Sequence, residues 1–150
     1  MDREPATIGK YRIQRVLGRG GMGTVYEALD PLINRKVAIK TMIPGLADSP
    51  DLRARFLREA QAAGGLRHRN IVTVYDLGED KGQPYIAMEF IEGTDLEKII
   101  QKQEPHPLEW KLEVIRQLCD GLAYAHEAGI VHRDVKPANV RVTPEGDVKI

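Results

Sequence analysis

Residues 132–139 hold the densest set of reactive side chains in the sequence, which reads His-Arg-Asp-Val-Lys-Pro-Ala-Asn there. Asp134 could accept the proton of an attacking hydroxyl, because a well-placed carboxylate acts as a general base. Lys136 could neutralise a phosphoryl group in transfer, and Asn139 could ligate a metal ion. The combination favours phosphoryl-transfer chemistry over the alternative, a polar loop in which the octet arose by chance.

A glycine-rich segment near the N-terminus could hold the phosphates for such a reaction. Residues 18–25 read Gly-Arg-Gly-Gly-Met-Gly-Thr-Val. Backbone amides without side chains can approach phosphate oxygens closely. Dinucleotide-binding folds need a helix directly after such a segment, but a strand-like run follows here, which excludes them. A plain hairpin turn is the remaining alternative.

A lysine and a glutamate could complete the phosphate site. In the run Val-Ala-Ile-Lys at 37–40, the strand period of two places Ala38 and Lys40 on one face. A small residue beside a lysine leaves room for a flat ring while the ammonium reaches a phosphate. Glu59 could pair with Lys40 and hold it in place. The alternatives are a solvent-facing strand lysine and an exposed helix glutamate.

The first half of the chain predicts an antiparallel sheet with one helix. Ser49 and Pro50 give a helix start, Gly64 and Gly65 give a stop, and apolar residues recur between them at helical spacing. Runs of strand-forming residues separated by turn residues predict the five strands. They lie at residues 11–17, 24–29, 36–42, 71–77 and 85–90.

The second half predicts mainly helix. Thr94 and Glu97 match a capping box, which opens a short helix to about Gln103. Residues 108–128 then predict a long helix with one apolar stripe, and residues 130–150 predict a polar loop and two short strands around a turn at 144–147. Two lobes with a cleft near residues 91–93 follow from this organisation. The expected buried stripe comprises Leu108, Leu112, Ile115, Leu118, Leu122 and Ala125.

Composition narrows the classes of partner and compartment. The 150 residues carry 22 Lys and Arg against 22 Asp and Glu, so bulk charge disfavours nucleic acid and anionic membranes as partners. The arginines at 53, 55, 58, 67 and 69 are interpreted as a solvated face, with a nucleic-acid patch as the alternative. A single cysteine excludes an internal disulfide framework, and no apolar run reaches 18 residues. A cytoplasmic location is expected.

These motifs, in this order and spacing, resemble those of protein kinases. Lys136, two residues after Asp134, is similar to serine/threonine kinases, and residues 17–26 resemble the bacterial eukaryotic-like (Hanks-type) branch. The resemblance implies an α+β fold. It predicts a five-stranded antiparallel N-lobe with one helix and a truncated, mainly helical C-lobe that ends before the D-F-G position. The implied domains are a tail at 1–10, the N-lobe and hinge at 11–91, and a partial C-lobe at 92–150.

The resemblance also implies site residues and cofactors. ATP and Mg²⁺ are the expected cofactors, with Asp134, Lys136 and Lys40 as the catalytic residues and Asn139 as a magnesium ligand. Val25 and Ala38 would enclose adenine, Met88 would lie behind it, and Glu89 and Ile91 would offer backbone hydrogen bonds. The full expected nucleotide site comprises Leu17, Gly18, Arg19, Gly20, Gly21, Met22, Gly23, Thr24, Val25, Ala38, Lys40, Glu59, Met88, Glu89 and Ile91.

The expected function is transfer of the γ-phosphoryl group of ATP to serine or threonine hydroxyls of protein substrates. Because the matched motifs stop before D-F-G, where the family has a further magnesium-binding aspartate, we expect low activity from residues 1–150 alone. The alternative function is a non-catalytic module that binds a nucleotide or another kinase chain. No membrane segment and no nucleic-acid partner are expected.

Overall fold

The computed structural model describes residues 5–20 and 23–150. Two of the predicted site residues, Gly21 and Met22, therefore lie outside the described residues. The chain divides into two compact units. The first contains the described residues up to Gly65 together with Thr73–Phe90, and the second contains Leu66–Val72 together with Ile91–Ile150.

An antiparallel sheet forms most of the first unit. All five predicted strands are present, although the one predicted at 71–77 begins and ends three residues later, at Val74–Asp80. A two-residue strand precedes them, so that residues 7 and 8 of the predicted tail belong to the sheet. The spatial order is β1-β2-β3-β4-β6-β5. The strands are β1 (Thr7–Ile8), β2 (Tyr11–Arg19), β3 (Gly23–Asp30), β4 (Arg35–Met42), β5 (Val74–Asp80) and β6 (Gln83–Glu89).

Alternating side chains give this sheet two different faces. One face holds a cluster of buried residues that includes Tyr26, Val37 and Ile39. On the other face, the predicted helix packs as α2 (Pro50–Gly64), following a single-turn α1 (Pro44–Ala47). Helix α2 buries Phe56 and Ala60 against residues such as Met42. Ala38 and Lys40 lie on the same face of β4 as Met42.

The second unit combines two helices with a small antiparallel sheet. Helix α3 begins one residue later than the capping box predicted, because Asp95 rather than Thr94 accepts the hydrogen bond from the Lys98 amide. No helix among residues 5–20 and 23–150 is long and apolar enough to cross a bilayer. In chain order the elements are β7 (Thr94–Asp95), α3 (Leu96–Gln101), α4 (Leu108–Glu127), a 3₁₀ turn (Pro137–Asn139), β8 (Arg141–Val142) and β9 (Val148–Lys149).

Helix α4 buries a different face from the predicted apolar stripe. Of that stripe only Ala125 is fully buried, whereas Leu108, Leu112 and Ile115 are 64%, 59% and 53% exposed. The buried face instead carries Val114, Gln117, Gly121 and Ala125. Because Gln117 is polar and Gly121 has no side chain, this buried face does not show the apolar periodicity on which the prediction was based.

A buried polar contact explains why this face is chosen. The Asn70 side chain, 1% exposed, donates to Gln117 Oε1 at 2.9 Å and to the Val148 carbonyl at 2.8 Å. Gln117 Oε1 also accepts from the Val148 amide at 2.9 Å. Gly121 lets the helix approach this group, because a Cβ there would lie 3.0 Å from the Asn70 carbonyl oxygen. Buried amides need such partners, which fixes the rotation of α4.

Candidate active site

The loop after α4 brings three of the predicted site residues into contact. Asn139 Nδ2 donates to the carbonyl of Asp134 at 2.9 Å and to its Oδ2 at 3.0 Å. Lys136 Nζ lies 3.2 Å from the same Oδ2. The Asp134 amide donates to His132 Nδ1 at 3.2 Å. Asn139 is the last residue of the 3₁₀ turn, and from there its side chain reaches Asp134. The carboxylate is therefore oriented by local contacts while the loop stays exposed to solvent.

The neighbours of Asp134 keep it ionised. Hydrogen bonds from Lys136 and then Asn139 hold the pKa of this carboxyl below its usual value. Asp134 is therefore deprotonated near neutral pH, as proton acceptance requires. Among the described residues no three His, Cys, Asp or Glu side chains form a metal-binding group.

In the first unit, the sheet places Val25, Ala38 and Lys40 on one face. Val25 pairs with Lys40 across β3 and β4, and Ala38 pairs with Met88 across β4 and β6. Ala38 is 7% exposed. The described surroundings of Lys40 thus match the predicted arrangement of a small residue and a cation side by side.

Glu59 does not pair with Lys40 among the ion pairs of the described residues. Its carboxylate instead accepts from Arg55 Nε at 2.9 Å, one turn earlier on α2, and its side chain is 60% exposed. Residues four apart on a helix are close neighbours, so this local contact competes with any partner across to the sheet. The Lys40–Glu59 pair remains a prediction.

The three expected phosphate-binding glycines have different surroundings. A Cβ placed on Gly18 or Gly20 would meet nothing within 4 Å among the described residues, so there is open space beside both residues, although the Gly20 amide donates to the Gly23 carbonyl at 2.9 Å. A Cβ on Gly23 would collide with the backbone carbonyl of Thr41 on β4. Gly18 and Gly20 are thus open to a ligand, whereas Gly23 is required by the close approach of two strands. Arg19 is exposed, and Leu17 and Thr24 are half-buried.

The predicted hinge residues occupy the end of β6 and the start of the second unit. Met88 is half-buried and packs against the cluster under α2. The Glu89 amide donates to the Thr73 carbonyl at 2.8 Å, while Glu89 Oε2 accepts from the Thr73 amide at 3.2 Å. Ile91 is buried in the second unit.

Two charged residues of β3, Glu27 and Asp30, are buried, and neither was predicted to be. Glu27 is 4% exposed and contacts Arg15 and Lys36 on the neighbouring strands. The signal available in the sequence was a glutamate in phase with Val25 along β3, with a cation on each flanking strand.

Most of the arginines in the predicted basic cluster have acidic partners. Arg53 contacts Glu79, Arg55 contacts Glu59 and Arg69 contacts Asp147.

Comparison with known proteins assigns the chain to a family. A family model described as the protein kinase domain matches residues 11–150. The chain is 46% identical over 152 residues to a probable serine/threonine-protein kinase, SCO3848, of Streptomyces coelicolor, which covers 98% of this chain and 23% of that protein. It is 44% identical over 143 residues to the serine/threonine-protein kinase PrkC of Bacillus subtilis, with coverage of 95% and 22%.

A solved structure shares the fold. The kinase domain of Mycobacterium tuberculosis PknI superposes with a TM-score of 0.81 at 34% identity, covering 96% of this chain and 59% of that chain. By contrast, the chain spans only about a quarter of the length of the curated relatives it matches. Because the family match extends over residues 11–150 and includes the 132–139 loop, the chain belongs to the protein kinase family, among the bacterial Hanks-type serine/threonine kinases.

Proposed function

We propose that the chain carries the nucleotide-binding and proton-accepting parts of an ATP-dependent serine/threonine protein kinase. The observation that supports this most strongly is the contact of Lys136 and Asn139 with the same carboxylate oxygen of Asp134, at 3.2 and 3.0 Å. A general base must be ionised and oriented, and these contacts satisfy both conditions.

The residues of the chain have distinct roles in this proposal. Asp134 accepts the proton of the serine or threonine hydroxyl, and Lys136 holds positive charge beside that carboxylate. Gly18 and Gly20 leave space beside the backbone for phosphate oxygens, while Lys40 binds phosphate through its ammonium group. Val25 and Ala38 provide an apolar surface for adenine.

The described residues fit one protein contact to a magnesium ion. Asn139 uses its Nδ2 to donate to Asp134, and no hydrogen bond to its Oδ1 is formed among the described residues, so a carbonyl oxygen is available. Mg²⁺ is usually held by few protein oxygens together with substrate phosphates. When bound, ATP would supply the phosphoryl group and Mg²⁺ would neutralise part of the charge on its phosphates. We propose a cytoplasmic location because the reaction consumes ATP.

Phosphoryl transfer from radiolabelled ATP to a basic protein substrate tests the proposal, with Asp134→Asn as the variant. The variant should lose at least about 100-fold in rate, in line with removal of a general base, and should still bind Mg-ATP. Asp147→Asn is the matched control, because that aspartate is exposed in the same unit and contacts Arg69. A wild-type rate above the no-enzyme background that Asp134→Asn retains in full would refute the role of Asp134.

A second candidate function is a non-catalytic module that binds a nucleotide or another kinase chain. The exposed Leu108, Leu112 and Ile115 favour it, because monomeric proteins rarely leave a contiguous apolar patch uncovered. Calorimetry with Mg-ATP, followed by size-exclusion chromatography with a candidate kinase, separates the two functions. Nucleotide binding and a defined complex without any phosphoryl transfer would establish the second function in place of the first.

A further inference from the structure

Glu27 is a buried carboxylate beside the expected nucleotide surface. It lies opposite Ala38 in the β3–β4 pairing and two residues from Val25, so all three share one face. Only 4% of the residue is exposed, and glutamate is seldom buried unless it is paired. Its Oε2 lies 2.6 Å from Arg15 Nε and its Oε1 lies 3.2 Å from Lys36 Nζ. None of the proposed roles above uses it.

The pairing between β2 and β3 is irregular on both sides of Arg15. The register shifts between Ile13 and Arg15, and again between Val16 and Gly18. Such irregularities disrupt the backbone ladder locally. The Arg15–Glu27 ion pair therefore attaches β2 to β3 where the backbone pairing is interrupted, two residues before Leu17 and the glycine-rich segment.

Lys36 extends the same contact to a third strand. Lys36 lies on β4, and its Nζ is 5.5 Å from the centre of the Phe90 ring, which follows β6 directly. The side chains of Arg15 and Lys36 are 65% and 55% exposed, whereas that of Glu27 is 5% exposed. The buried carboxylate is thus the common partner through which β2, β3 and β4 are joined.

We infer that Glu27 is a positioning residue, which through Arg15 anchors the end of β2 and so holds Leu17 and Gly18 over the face that carries Ala38 and Lys40. Gly18 pairs with Val25, and Val25 pairs with Lys40, so a displacement of β2 changes the distance between the glycine-rich segment and the lysine. The consequence for ATP binding rests on the proposed function, but the anchoring of β2 does not.

Amide hydrogen exchange on the 150-residue chain tests the anchoring without nucleotide. Glu27→Gln should speed exchange of the amides of residues 15–20 by about tenfold, because it removes one coupled contact at this strand. Asp30→Asn is the matched control, since Asp30 is also 4% exposed on β3, pairs with Lys10 and faces the opposite side of the sheet. Exchange at residues 15–20 that is unchanged in Glu27→Gln would overturn the anchoring.

Nucleotide titration tests the consequence. Glu27→Gln and Arg15→Gln should each raise the Kd for Mg-ATP by about tenfold, and the double variant should raise it no further, because both remove the ion pair that joins β3 to β2. Asp30→Asn should bind like the wild type. Additive effects, or unchanged affinity in both single variants, would overturn the link to binding. A wild-type chain that binds no ATP would refute the proposed function, while the exchange result would still decide the anchoring.

Discussion

Gly18 and Gly23 belong to one glycine-rich segment, but the space around them differs. Gly18 has no described atom near the position of a Cβ, whereas Gly23 lies against the backbone of Thr41. A side chain at Gly18 would therefore occupy the space available to a ligand. A side chain at Gly23 would push two paired strands apart. We therefore expect a binding requirement at Gly18 and a folding requirement at Gly23.

Alanine substitution should separate these two requirements. Gly23→Ala should destabilise the chain by about 1–3 kcal/mol, because a methyl group cannot fit beside the Thr41 carbonyl without moving β4. Gly18→Ala should change stability by less than about 0.5 kcal/mol and weaken Mg-ATP binding instead. Urea unfolding and nucleotide titration measure the two effects. Equal losses of stability in both variants would contradict the distinction.

The ionisation of Asp134 gives a second prediction at the scale of single residues. Lys136 is the largest cause of its lowered pKa, so Lys136→Met should raise the pKa of Asp134 toward the ordinary aspartate value of about 3.9. Carbon-13 NMR titration of the Asp134 carboxyl measures this shift directly. Lys102→Met, which removes another exposed lysine of the same unit, should leave the titration unchanged. An unshifted titration in Lys136→Met would refute the contact.

Helix α4 shows what a pattern can and cannot predict about one element. Its limits, Leu108–Glu127, follow from a long run of helix-forming residues that ends before Gly129, and the sequence alone places them within a residue. Its buried face depends on Asn70, which lies 47 residues from Gln117. A contact between polar residues so far apart leaves no periodic signal, so the face was predicted wrongly.

Two substitutions compare the faces of α4. Val114→Ala should cost about 1–3 kcal/mol of unfolding free energy, because it leaves a cavity beside Val140 and Val148. Leu112→Ala should change stability by no more than about 0.5 kcal/mol, because Leu112 is 59% exposed. Urea denaturation of the 150-residue chain measures both. The reverse order would mean that the predicted stripe is the packed face in solution.

Among the strands and the site residues, the features that depend on neighbouring residues were predicted, and those that depend on distant residues or on very short elements were not. Strands β2 to β6 follow from runs of alternating or β-branched residues, but β1 and β7 have two residues each and are too short to show a period. Asp134, Lys136 and Asn139 were identified from residue types at fixed spacing, and they make contact within six residues of chain. Glu27 was missed, because a strand glutamate is usually exposed and its burial requires cations from two other strands.

For the whole molecule, charge balance and exposed apolar residues act together. The formal charge is zero at pH 7, so electrostatic repulsion between copies is smallest there, and Leu108, Leu112 and Ile115 are uncovered. Self-association should therefore be strongest near pH 7 and weaker at pH 5 and pH 9. Light scattering at fixed ionic strength measures it.

A matched pair of variants assigns this association to a surface. Leu112→Lys should reduce scattering at pH 7 more than Ile100→Lys, which makes the same charge change at a residue that is 57% exposed on α3. Equal reductions would show that net charge alone controls association. A pH-independent signal in the wild type would contradict the role of charge balance.

The Asn70 contact has a consequence for the chain as it is synthesised. Asn70 and Val148 are separated by 78 residues, so at about 5–20 residues per second Val148, the later of the two partners of the Asn70 side-chain amide, is made about 4–16 s after Asn70. The Asp134–Asn139 contact closes a loop of six residues, and loops of such size close within about 100 ns. During translation, the local geometry around Asp134 can therefore form as soon as its residues emerge, whereas the Asn70 side chain lacks its contact with Val148 until β9 has been made.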